Sequence, residues 1–185
     1  SDESLAERVY LAPSGYSTAG PSDAYVYWAK TFNAGIGSVV PVSPEPGKVD
    51  VYVLMTDGSM PGEELLQELQ DYLTEERIRP MTDLVTVKKP EAVEFSIDLT
   101  YYINRSDQAK AVTIQENVKK AVAEYTTWQT SEIGRDINPD ELVQRIKAAG
   151  AKRVELTAPT FAVVGETQVA KCTASAADNG GLEDD

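Results

Sequence analysis

The 185-residue sequence has no histidine and a single cysteine, Cys172. Without histidine there is no Ser-His-Asp or Cys-His nucleophile system, no imidazole ligand for zinc and no histidine pH switch. One cysteine excludes an internal disulfide and a thiolate metal cluster. Cys172 reads instead as a small side chain near the end of a strand. Long apolar runs are also missing. A run such as Val51-Tyr52-Val53-Leu54-Met55 falls far short of the ~20 residues of a membrane span. The polar opening Ser1-Asp2-Glu3-Ser4 shows no signal-peptide pattern. Basic residues are few, 17 against 30 acidic ones, which leaves a net charge of −13. Such a surface repels phosphate, so nucleic acid is not an expected partner, and without an apolar span neither is a membrane.

What is present is a globular composition, 42% apolar and 25% charged, sufficient for a packed core. Residues 1–20 read as an extended N-terminal segment, because their second half is small residues and glycines without periodicity. Residues 21–89 read as a middle α-β-β-α-β domain. Ser22 is a candidate N-cap, and Tyr25, Trp28, Ala29 and Phe32 follow at helical spacing. Strands are predicted at 38–42, 49–55 and 84–87, with an amphipathic helix carrying Leu65, Leu66, Leu69, Tyr72 and Leu73 before the third.

Residues 90–172 read as a second domain, β-α-α-β-β. Its first strand alternates Val93, Phe95, Ile97, Leu99, Tyr101 and Ile103 with polar neighbours, the pattern of a half-buried antiparallel strand. A long helix follows from about Asp107, with Ile114, Val118, Ala121, Val122 and Tyr125 on one stripe. Asn138-Pro139-Asp140-Glu141 is a helix start and Gly150 its stop. Residues 173–185 read as an acidic, disordered tail. The expected class is α+β: two small sandwich-like units, each with helices on one face of a mainly antiparallel sheet.

A search for chemistry returns little. Gly35-Ile36-Gly37 lacks the third glycine of a nucleotide loop and follows a helix, so it reads as a turn. The pairs Glu63-Glu64 and Glu75-Glu76 point to different sides of a helix, and no second acid sits at a defined separation. The acidic tail lacks the ligand spacing of a calcium loop. No cofactor, metal or catalytic residue is therefore expected. Two loops, Arg79-Pro80-Met81-Thr82-Asp83 and Gly134-Arg135-Asp136-Ile137, place an arginine beside an aspartate. Either the aspartates accept local backbone N–H bonds, or the arginines anchor an acidic neighbouring subunit. In the 22–32 helix Tyr27 lies off the Tyr25–Trp28–Phe32 stripe. Tyr27, Arg79 and Arg135 are thus the candidate interface residues. Tyr27 also fits a second reading, as cover for a groove between the two units.

Several stretches follow in order: Ala19-Gly20-Pro21-Ser22-Asp23-Ala24-Tyr25 with Trp28-Ala29, Pro46-Gly47-Lys48-Val49-Asp50-Val51-Tyr52-Val53, the two arginine loops, and Lys152-Arg153-Val154-Glu155-Leu156-Thr157-Ala158-Pro159. Together they resemble the phage baseplate J-like family of contractile-tail wedge proteins. The resemblance implies the middle and C-terminal domains of that family, with a further N-terminal region absent. It implies a structural, non-enzymatic subunit whose copies bind each other and other wedge proteins in a ring around the tail hub. The place implied is the virion tail baseplate, and the bacterial cytoplasm before assembly. A related bacterial injection particle is an alternative setting; a small-ligand-binding or enzymatic α+β domain is the alternative of another class.

Overall fold

A computed structural model describes residues 6, 9, 10, 22–75 and 83–184. Most of the expected N-terminal segment, and Arg79, lie outside the described residues. Among the described residues the chain divides into two compact units. The first ends at Glu91 and takes in Ser131–Ile133; the second comprises Ala92–Thr130 and the residues from Gly134 onward. Among the described residues the elements of these units, four helices from Ser22 onward and two three-stranded sheets, give an α+β architecture.

In the first unit, α1 (Ser22–Phe32) buries Tyr25 and Ala29 and is followed by β1 (Ile36–Glu45), within which Gly37 lies. A tight turn at Pro46-Gly47 leads into β2 (Lys48–Met55), which pairs antiparallel with β1. Helix α2 (Glu63–Leu73) buries Leu66, Leu69 and Leu73, and β3 (Leu84–Lys88) then pairs with β2 in parallel. The parallel pairing follows from the connection, since a helical crossover returns the chain in its original direction. Gln70 on α2 serves β3 directly: its amide donates to Val85 O (2.8 Å) and accepts from Val87 N (2.7 Å).

In the second unit, β4 (Glu91–Asn104) is the central strand, in the order β5-β4-β6. Phe95, Ile97, Leu99, Tyr101 and Ile103 are buried and their polar neighbours are not, as period-2 alternation requires. A 3-10 turn (Arg105–Lys110) leads into α3 (Ala111–Thr130), and α4 (Pro139–Ala148) starts at Asn138, whose side chain accepts from Asp140 N. Gly150 ends that region at φ +110°, where a Cβ would meet Ile114 at 3.0 Å. Strand β5 (Arg153–Ala158) pairs antiparallel with β4. Strand β6 (Gln168–Glu183) flanks β4 on the other side. Thr173 Oγ1 donates to Phe95 O, and a Cβ on Gly180 would strike Tyr102, so β6 runs in the direction of β4. Each sheet is therefore mixed, with one antiparallel and one parallel pairing, rather than mainly antiparallel.

Residues 173–183 are not a disordered tail; they are the second part of β6. Composition misleads here because the order comes from partners. Ala177 and Leu182 pack on the apolar cluster of the second unit, and two of the acids, Glu183 and Asp184, meet basic side chains. The Arg153 fork holds Glu183 on one side and Glu155 on the other, and stacks over the Tyr102 ring at 4.1 Å. Arg105 Nε meets Asp184 at 2.5 Å, and Lys152 Nζ donates to the Asp184 carbonyl.

Two expectations follow. Phe95→Ala should lower stability by about 3 kcal/mol in a denaturant titration, while Glu94→Ala, which removes an exposed side chain, should change it negligibly. Hydrogen bonds from Arg153 hold the Glu183 and Glu155 carboxyls below the usual carboxylate range. A lowered folded pKa stabilises fully above the unfolded value of about 4.3 and is lost as pH falls through the folded value. Acidification from pH 6 to pH 3 should thus release residues 181–184 first, read as amide exchange at the end of β6 ahead of β4.

Candidate assembly surface

The first unit holds a concavity of about 420 Å³ lined by Val26, Lys30, residues 37–40 and Ser131–Ile133. Its charged lining residues are Lys30 and Glu132. No pair of acids, thiol or activated hydroxyl lines it, so no reaction can be derived there. Among the described residues no cluster of acidic and cysteine side chains has metal-binding geometry. Burial raises the Tyr125 hydroxyl to about 12 and pushes the Cys172 thiol up, which leaves both protonated and inert at neutral pH. The Cys172 thiol donates to Ala174 O at 3.4 Å, in keeping with a packing role.

Tyr27 sits on α1 outside the apolar cluster of its unit, half-buried, with its ring edge-on to Trp28 at 5.0 Å. Trp28 and Phe32 pack on that cluster and gather round Tyr72, at 6.4 and 5.1 Å. The off-stripe position read from the helical phase is the observed one.

Arg135 is engaged within its own unit. Its guanidinium lies over the Trp128 ring at 4.3 Å and donates to Trp128 O, a carbonyl of the last turn of α3. Arg145, paired with Glu141, approaches the same ring at 5.4 Å. Arg135 therefore closes a helix end as well as reaching the surface. Its neighbour Asp136 does not make a local turn bond; Oδ1 accepts from Val164 N at 2.8 Å, 28 residues away. Asp83 likewise accepts from the Tyr25 hydroxyl at 2.8 Å. Arg79 lies outside the described residues, and Tyr27 and Arg135 belong to different units.

The residue that organises this region was not singled out beforehand. Gln129 is fully buried, and its amide uses every site. Nε2 donates to Arg135 O (3.2 Å) and Asp136 O (3.0 Å), while Oε1 accepts from Asn138 N (3.2 Å) and Tyr125 Oη (3.3 Å). A signal for it existed: Gln129 lies four residues past Tyr125 on the apolar stripe of α3. A polar residue in that phase marks a buried hydrogen-bonding node.

The fold defines a class: a tandem α+β chain in which each unit packs helices on a three-stranded sheet among the described residues. The model of the Baseplate J-like central domain matches residues 17–89, and that of the Baseplate J-like protein C-terminal domain matches residues 95–174. The chain belongs to the baseplate J-like family. Over 186 aligned residues it is 31% identical to baseplate protein J of Escherichia phage P2, covering 100% of this chain. It spans 61% of the length of that relative. It also shares its fold with a chain of the anti-feeding prophage (AFP) baseplate, seen in a 6-fold symmetrised cryo-EM structure. That match has a TM-score of 0.54 and 11% identity, over 86% of this chain and 37% of the other.

Proposed function

We propose that the chain is the middle and C-terminal part of a structural subunit of a phage, prophage or related contractile baseplate. In this reading it associates with its own copies and with other wedge proteins to form the ring around the tail hub. The bacterial cytoplasm holds it before assembly, and the role involves no turnover, cofactor, nucleic acid or membrane. The observation that carries it is the match of two consecutive family domains in order, together with 31% identity to baseplate protein J of phage P2 along the whole chain.

Tyr27 and Arg135 are the proposed contact residues, since aromatic rings and arginine dominate the centres of stable interfaces. Tyr27→Ser, in the protein as it occurs in its particle, should reduce incorporation into baseplates about tenfold without moving the thermal midpoint. Arg135→Ser also removes the cap on α3, so its incorporation is compared at temperatures of equal folded fraction. Normal assembly by both variants would remove them from the interface, and absence of the wild-type chain from purified baseplates would defeat the whole reading.

A further inference from the structure

The loop between β5 and β6 turns two large apolar side chains outward. Phe161 is 61% exposed and Val163 72%, whereas the alternating Ala162 and Val164 pack inward on the apolar cluster of the second unit. The loop is fixed. Ile137 and Ala162 exchange backbone bonds of 2.9 and 3.3 Å, and Val164 N donates to Asp136 Oδ1. Gln168 accepts from Gly165 N through its side chain (3.0 Å) and from Gly134 N through its carbonyl (2.8 Å). In an extended segment held this way, alternation forces Phe161 and Val163 onto the solvent side. Already ordered, they lose little conformational freedom on docking and remove apolar surface from water.

The same unit carries a groove of about 570 Å³ between α3 and β6. Buried Val122 lies among its lining residues with Ala123, Ala177, Ser175 and the methyl-bearing Thr126 and Thr127. Its one charged lining residue is Lys119, exposed; the one charged residue between Pro159 and Thr167 is Glu166, also exposed. We infer that Phe161 and Val163 of one copy dock into the α3–β6 groove of a second copy, with Glu166 set against Lys119. Projection and groove are different patches, so the contact is head-to-tail, the type that propagates and closes into a ring. This inference rests on the baseplate-subunit reading and names one of its self-contacts.

The test uses the full protein with Cys172→Ser as background. Thr160→Cys chains, which keep Phe161 and Val163, are mixed with differently tagged Ala123→Cys chains and treated with a short bismaleimide. Crosslinks between the two variants should exceed those with an Asp98→Cys control by about tenfold, and neither variant should crosslink with itself above that control. In parallel, Glu166→Lys and Lys119→Glu should each weaken incorporation into baseplates, and the two together should restore it. Control-level crosslinking, or a double variant no better than the single ones, overturns the head-to-tail contact. If wild-type chains still enter baseplates in that case, the subunit reading stands and only this contact falls.

Discussion

Gln129→Leu is expected to lower unfolding free energy by about 4 kcal/mol, a large share of the 5–15 kcal/mol typical of a domain. Leucine resembles the glutamine in size, so the effect comes from hydrogen bonds rather than from a cavity. Removing the amide strands the carbonyls of Arg135 and Asp136 and the N–H of Asn138 away from water. Each stranded group costs about 1–3 kcal/mol. The loss should extend beyond the loop, because Asn138 caps α4 and Tyr125 shares the same node. Urea titration followed by far-UV circular dichroism provides the measurement. A shift below about 1 kcal/mol would mean that water replaces the amide. Gln129→Glu, which when protonated keeps an acceptor and one of the two donors, should fall between leucine and wild type if the protein is held near pH 4.

Deleting residues 175–185 is expected to lower the thermal midpoint by about 10 °C. The deletion removes Ala177 and Leu182 from the apolar cluster and strips the later half of β6 from β4. It also leaves the Arg153 fork without Glu183. Lost packing and backbone pairing together come to about 4 kcal/mol, and for a chain of this size each kcal/mol is worth about 2–4 °C. Exposed ion pairs contribute little of that, so Glu183→Gln alone should move the midpoint by no more than about 2 °C. An unchanged midpoint after truncation would show that this part of β6 adds nothing to the stability of β4.

The contrast between β4 and β6 explains what a sequence shows of this fold. In β4 the burial pattern is carried by the residues themselves, since six large apolar side chains at period 2 can serve only one sheet face. In β6 the segment Ala-Ser-Ala-Ala-Asp-Asn-Gly-Gly has weak strand preference, and the order comes from β4 and from Arg105, Lys152 and Arg153, all distant in sequence. Helix starts and stops were legible at Asn138, Pro139 and Gly150 because capping is local chemistry. Strand direction was not, since it depends on which side of the central strand a crossover returns to. The interface candidates divide along the same line. The phase of Tyr27 follows from helix geometry, whereas the stacking of Arg135 on Trp128 depends on a loop path with no local signature.

The placement of β4 between two later strands sets the order of events during synthesis. All three strands of the first sheet lie within residues 36–88, so they can pair as soon as that stretch leaves the ribosome. The partners of β4 arrive much later: Thr173 reaches Phe95 across 78 residues of chain. At about 5–20 residues per second, that interval lasts roughly 4–16 s. Until β5 arrives at residues 153–158, neither edge of β4, which carries Phe95, Ile97, Leu99, Tyr101 and Ile103, has a strand to pair with. A nascent chain stalled within α4 therefore displays a paired first sheet followed by a sticky strand, the species that chaperones would bind and that would aggregate when the chain is overproduced.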